Sequence, residues 1–153
     1  MKIKQILSKS CVLAQLNAAT KEGVIEELAV LLAKDFPDIG KEETVRILME
    51  REKLGSTGIG NGVAIPHGKL SSLSQIVTGF GRSVAGVPFD SQDGKPAHIF
   101  FALLAPENAA SLHLKALARL SRLLKDVHFR NKLMEAKDET QIYNEIISED
   151  EKF

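Results

Sequence analysis

The chain has 153 residues, 44% of them hydrophobic, which is enough to bury a substantial core in one domain spanning residues 1–153. Its 20 lysines and arginines balance 20 aspartates and glutamates, so no basic excess points to nucleic acid. No apolar run approaches the roughly 18 residues of a membrane span, no signal-peptide pattern opens the chain, and the single cysteine, Cys11, excludes an internal disulfide framework. The expectation is a cytoplasmic protein with no membrane insertion, in which Cys11 is a small packed residue.

Taken in order, residues 3–7 suit a short helical turn, and residues 11–16 alternate enough for a short strand. Thr20 stands where an N-cap belongs, and Val24, Ile25, Leu28, Leu31 and Leu32 then recur at helical spacing through Lys34. Phe36-Pro37-Asp38 breaks that helix and Gly40 marks a restart. A second helix, Lys41 to about Lys53, is expected to bury Val45, Leu48 and Met49 and to end at Gly55, with Arg51 in its last turn. After a glycine-rich loop, Val63 to Ile65 makes a short strand at most. Gln75 to Arg82 and Ala97 to Leu104 are the better strands, and the second, apolar on both faces, reads as a central strand covered on each side. Asp93-Gly94 signals a turn between them. Helices are then expected over Leu112–Leu124, with Lys115, Arg119, Arg122 and Lys125 on the wet side, and over 127–136 and 140–147, before a polar acidic tail. The pattern is α/β, with helices on both faces of a small mixed sheet.

The stretch from Arg51 to Leu70, REKLGSTGIGNGVAIPHGKL, differs in composition from its flanks. It fails the Walker pattern, because Gly60 is followed by Asn61 rather than lysine. It also fails the dinucleotide fingerprint, because a helix precedes the glycines where a strand should. What remains is a loop whose amides can approach an anion closely. His67, between Pro66 and Gly68, is a candidate nucleophile: a neutral imidazole can attack phosphorus and hold the phosphoryl group as a labile phosphoramidate. Arg51, Ser56 and Thr57 are near in sequence to supply charge and donors, and a nearby arginine would keep the imidazole neutral. From spacing alone, a histidine that only caps or packs in a turn stands beside that reading. His113 shares an apolar helix face with Leu117, Leu120 and Leu124 and reads as a core histidine. His98 reads as structural in the buried strand, and His128 as solvated. No metal site is expected, since no histidine pair has ligand spacing and thiolates are lacking. A serine hydrolase reading is weaker still, since Ser56 has no G-x-S-x-G elbow.

These residues resemble the active-site signature of enzyme IIA of the mannitol/fructose class, a phosphocarrier of the bacterial phosphoenolpyruvate-dependent phosphotransferase system. The resemblance extends to the turn Asp93 to Pro96, the strand with LLAPEN at Leu103 to Asn108, and HLKALARLSRLL from His113, so it covers almost the whole chain. It implies a three-layer α/β/α fold with a mixed sheet and no cofactor. It implies that His67 carries the phosphoryl group on Nε2, that Arg51 interacts with that group, that His113 is a second active-site histidine beside the first, and that Thr57 is an oxygen contact. The role of His113 thus rests on resemblance, against its helix periodicity. The implied donor is a phosphohistidine HPr-like protein. The recipient is either a set of regulatory targets or the cysteine of a sugar-specific IIB domain. Ile3 to Leu7, KEGVIEELA from Lys21 and Phe80-Gly81-Arg82 resemble the stand-alone nitrogen-regulatory type, whereas Ser83 to Pro88 matches neither branch. A binding module without phosphotransfer is the reading from another class, and the intact Arg51, His67 and His113 set argues against it.

Overall fold

A computed structural model describes residues 1–152 as a six-stranded mixed sheet with five α-helices. Two short 3-10 turns, Ile3–Gln5 and Lys9–Cys11, lead into β1 (Val12–Leu13), so the expected strand over 11–16 is shorter and Cys11 lies before it. Cys11 is buried as expected, and burial pushes its thiol up to about 11. Helix α1 (Lys21–Asp35) starts at the expected cap, with the Thr20 hydroxyl accepting from the Gly23 amide at 3.1 Å. It buries Val24, Ile25, Leu28 and Leu32 and leaves Leu31 half-buried. Helix α2 (Lys41–Lys53) buries Thr44, Leu48 and Glu52, while Val45 and Met49 are only partly covered.

The glycine stretch is less of a loop than expected: the short strand expected at Val63 to Ile65 is present as two residues, and two further strands flank it. It contains β2 (Gly58–Gly60), β3 (Val63–Ala64) and β4 (His67–Lys69). β2 and β3 form an antiparallel hairpin whose two linking residues, Asn61 (φ 58°) and Gly62 (φ 77°), both have positive φ. That sign pattern is the one an Asn-Gly pair favours in a type I′ turn, because its twist matches the flanking strands. Asn61-Gly62 was therefore the sequence signal for this hairpin.

β5 (Val77–Val87) runs past the expected Arg82, and β6 (Ala97–Ala105) pairs with it antiparallel. β6 is the central strand, buried along nearly its whole length, with β3 and β4 parallel to it on the other side. Alternate residues of β5 show that helices cover both faces. A side chain at Gly79 would meet Leu32 of α1, whereas Arg82 points the other way. Its guanidinium donates to the carbonyls of Leu133 at 2.9 Å and Ala136 at 2.6 Å, at the end of α4 (Val127–Glu135). α3 (Ala110–Leu123) packs on β6, and α5 (Glu139–Glu151) packs on β1 and the first 3-10 turn. The expected three-layer α/β/α fold is the one observed. The expected acidic tail is not: helix α5 continues through it to Glu151.

Candidate functional site

Residues 63–69 run beside β6 in one constant parallel register, from Val63 opposite Ile99 to Lys69 opposite Ala105. The ladder breaks only at Ile65-Pro66, where proline has no N–H to donate. There the Pro66 carbonyl still accepts from Leu103 N at 2.9 Å, which fixes the backbone immediately before His67. The break also turns the Ile65 carbonyl to the His67 ring, and Nδ1 lies 2.7 Å from it. A carbonyl only accepts, so Nδ1 carries the proton and Nε2 keeps its lone pair free. Burial lowers the His67 pKa, the Ile65 bond opposes that shift, and the Arg51 charge adds to it.

The second histidine arrives by topology. β4 lies along the C-terminal end of β6, and β6 leads through Pro106 to Ala109 into α3, whose first turn carries His113. The two imidazole centroids are 5.5 Å apart, with their planes at 77°. His113 is 7% exposed, and its Nε2 is buried without a hydrogen-bond partner, an arrangement that costs free energy unless something else accepts or donates there. Burial, with the charges of His67 and Lys69, pushes its pKa down to about 4. Periodicity placed His113 correctly on the inner face of α3, but only the fold brings it to His67.

Arg51 sits at the end of α2, which packs on β4, and its Nη1 donates to the Gly55 carbonyl at 2.8 Å. Thr57 is buried, with its amide donating to Glu52 Oε2 at 2.9 Å and its hydroxyl bonded to the same oxygen. Ser56 donates to the Phe89 carbonyl at 2.6 Å and accepts from Gly58 N at 3.0 Å, so it braces the hairpin. Sequence reasoning missed Glu52, whose side chain is 3% exposed and lies at the base of this loop. A buried carboxylate beside Arg51 leaves no periodic signal, because α2 reads as charged on that side.

His98 and His128 stand apart from the site. His98 Nδ1 lies 3.0 Å from the Ser83 carbonyl, so its ring has a polar partner and not only the apolar neighbours expected. His128 is exposed, as expected. Among the described residues, no group of three or more His, Cys, Asp or Glu could hold a metal ion. A groove of about 560 Å³ along α1, bordered by Leu13, Asn17, Glu27 and Leu31, holds neither a histidine nor Arg51, Glu52, Ser56 or Thr57. The candidate site is a surface with one free imidazole nitrogen, one orphaned imidazole nitrogen and one guanidinium.

The family model of the phosphoenolpyruvate-dependent sugar phosphotransferase system, EIIA 2, matches residues 5–149. The chain belongs to that EIIA family. It is 40% identical over 144 residues to a nitrogen regulatory protein of Bradyrhizobium diazoefficiens, covering 94% of each chain. It is also 40% identical over 150 residues to the fructose-specific EIIABC component of Bacillus subtilis, of which it spans 24%. Among solved structures, the nitrogen regulatory protein IIA-Ntr of Neisseria meningitidis superposes with a TM-score of 0.87 at 34% identity, covering 94% of this chain and 98% of that one. The EIIA fold therefore holds over nearly the whole length. No described helix is long and apolar enough to cross a membrane.

Proposed function

We propose that this EIIA protein accepts a phosphoryl group on His67 Nε2 from the phosphohistidine of an HPr-like protein, and that its phosphorylation state governs which regulatory partners bind. The observation that carries the reading is the pair of imidazoles: His67 with Nδ1 committed to the Ile65 carbonyl at 2.7 Å, and His113 with an unpartnered buried Nε2. The lone pair of His67 Nε2 forms the new N–P bond as the donor's N–P bond breaks, and that electron pair returns to the donor imidazole. Such transfer is mostly positioning and charge stabilisation. Arg51 supplies the fixed positive charge, His113 Nε2 a donor to a phosphoryl oxygen, and Thr57 lines the adjoining loop. Once formed, the phosphoryl dianion changes the charge of the surface on which a partner packs.

The 40% identity to the fructose-specific Bacillus protein supports a second reading, in which the group passes on to a IIB cysteine during sugar uptake. Phosphorylation followed by intact mass separates the two, with phosphoenolpyruvate feeding either the sugar-system relay or its nitrogen-branch counterpart. Preference for the nitrogen relay, with an acid-labile and base-stable label that His67→Ala abolishes, is the expected result. Preference for the sugar relay with discharge to a IIB cysteine establishes the metabolic reading. Full labelling of His67→Ala removes His67 as acceptor.

A further inference from the structure

Arg51 and Glu52 are consecutive in the last turn of α2, yet their side chains hold the two ends of the following turn. Arg51 donates to the Gly55 carbonyl at 2.8 Å, and Glu52 Oε2 accepts from the Thr57 amide at 2.9 Å and bonds its hydroxyl. The other oxygen, Glu52 Oε1, faces Lys21 Nζ at 3.1 Å, as an ion pair rather than an aligned hydrogen bond. Lys21 Nζ also lies 3.0 Å from Asp90 Oδ2 and 5.0 Å from the centroid of the Phe89 ring. Burial disfavours the charge on Lys21, but its contacts with Asp90 and Glu52 outweigh that and raise its pKa. One buried carboxylate thus ties together the first residue of α1, the last turn of α2, the loop after β5 and the entry to β2. A buried ion pair adds little net stability over an apolar replacement. What it does fix is position and the sign of charge, and here it fixes both one residue from Arg51.

We propose that Glu52 is a positioning residue for phosphoryl transfer, with Lys21 as its counterion, holding the Gly55–Thr57 turn and thereby the Arg51 guanidinium in place for the phosphoryl oxygens. The inference rests on His67 being the acceptor. Glu52 touches no reacting atom, and its effect runs through the turn it clamps. Its charge also counters that of Arg51 at the His67 ring.

The test compares wild type, Glu52→Gln, Lys21→Met and the double variant, at pH 8, where His67 is neutral throughout. Two phosphoryl donors are used: phosphoramidate as the small probe and a phosphohistidine HPr-type protein. Glu52→Gln is expected to melt cooperatively and to label His67 about tenfold or more slowly from both donors, with the loss in the rate at saturating donor rather than in the half-saturating concentration. The double variant is expected to label no more slowly than the slower single one, because the two side chains act as a unit. The His67 midpoint followed by NMR should fall in Glu52→Gln because the carboxylate charge is gone, while the loss confined to the rate at saturating donor is what a purely structural role would not produce. A folded Glu52→Gln protein with wild-type rates overturns the proposal. If Glu52→Gln does not fold, Lys21→Met decides, and wild-type rates in that variant overturn it equally. Wild-type protein that takes no label on His67 overturns the acceptor assignment instead.

Discussion

His113 is kept neutral: burial and its neighbours hold its pKa at about 4 in the folded chain. An unfolded histidine titrates near 6.5, so the folded state binds fewer protons between those values. The stability linked to the neutral ring is therefore complete above about pH 6.5 and is lost as pH falls towards 4, by at most about 3 kcal/mol at 1.36 kcal/mol per unit. Thermal melts of wild type should drop in midpoint between pH 7 and pH 4.5, and His113→Leu should flatten that drop. Equal pH dependence in both proteins would show that His113 is not the acid-sensitive group. The same sign holds for His67, whose lowered pKa keeps Nε2 nucleophilic below the usual histidine range. The candidacy of His67 was legible from its Pro-His-Gly setting and the signature around it. Glu52 was not, because nothing local marks a charged helix residue as buried.

At the level of elements, the site depends on how closely β4 approaches α2. A side chain at Gly68 would come within 2.5 Å of Ile47 Cγ2, so the glycine is required by packing and not by an unusual backbone angle. Gly68→Ala should force β4 off α2, cost about 1–3 kcal/mol as overpacking does, and slow labelling of the adjacent His67. Adding Ile47→Ala removes the clashing methyl and should restore much of the rate. Slow labelling that persists in the double variant would place the effect in the backbone instead. The five helices followed from apolar spacing and caps such as Thr20. Of the β2–β3 hairpin only the short strand at β3 was expected; the glycines of β2 carry no alternating side chains to read, although Asn61-Gly62 marks the turn between them.

Over the whole molecule, the two chain ends close on one another. Asp150, 1% exposed, accepts from the Ile3 amide at 2.7 Å and from Arg119 Nε at 2.5 Å. Arg119 is thus drawn out of the solvated row expected on α3, and α5 is docked where an acidic tail was expected. Asp150→Ala should leave the Ile3 amide without its buried acceptor and remove one of the contacts of Arg119, costing about 1–3 kcal/mol in denaturant unfolding. A loss under 1 kcal/mol would mean that water replaces the carboxylate at no cost.

By itself, the sequence determined the helices, the central strand and the family, because apolar period, capping and a long ordered signature are local properties of the chain. The candidacy of His67 and Arg51 belongs to that same local record, and the resemblance also implied that His113 lies beside His67. Tertiary structure decided the rest. It took the parallel alignment of residues 63–69 with β6 to carry His113 to within 5.5 Å of His67, ring centre to ring centre. It took the closure of α1, α2 and the loop after β5 to bury Glu52 against Lys21. Contacts between residues so far apart in sequence follow from which elements share a sheet and which helix covers them, and neither is written in the spacing of neighbouring residues.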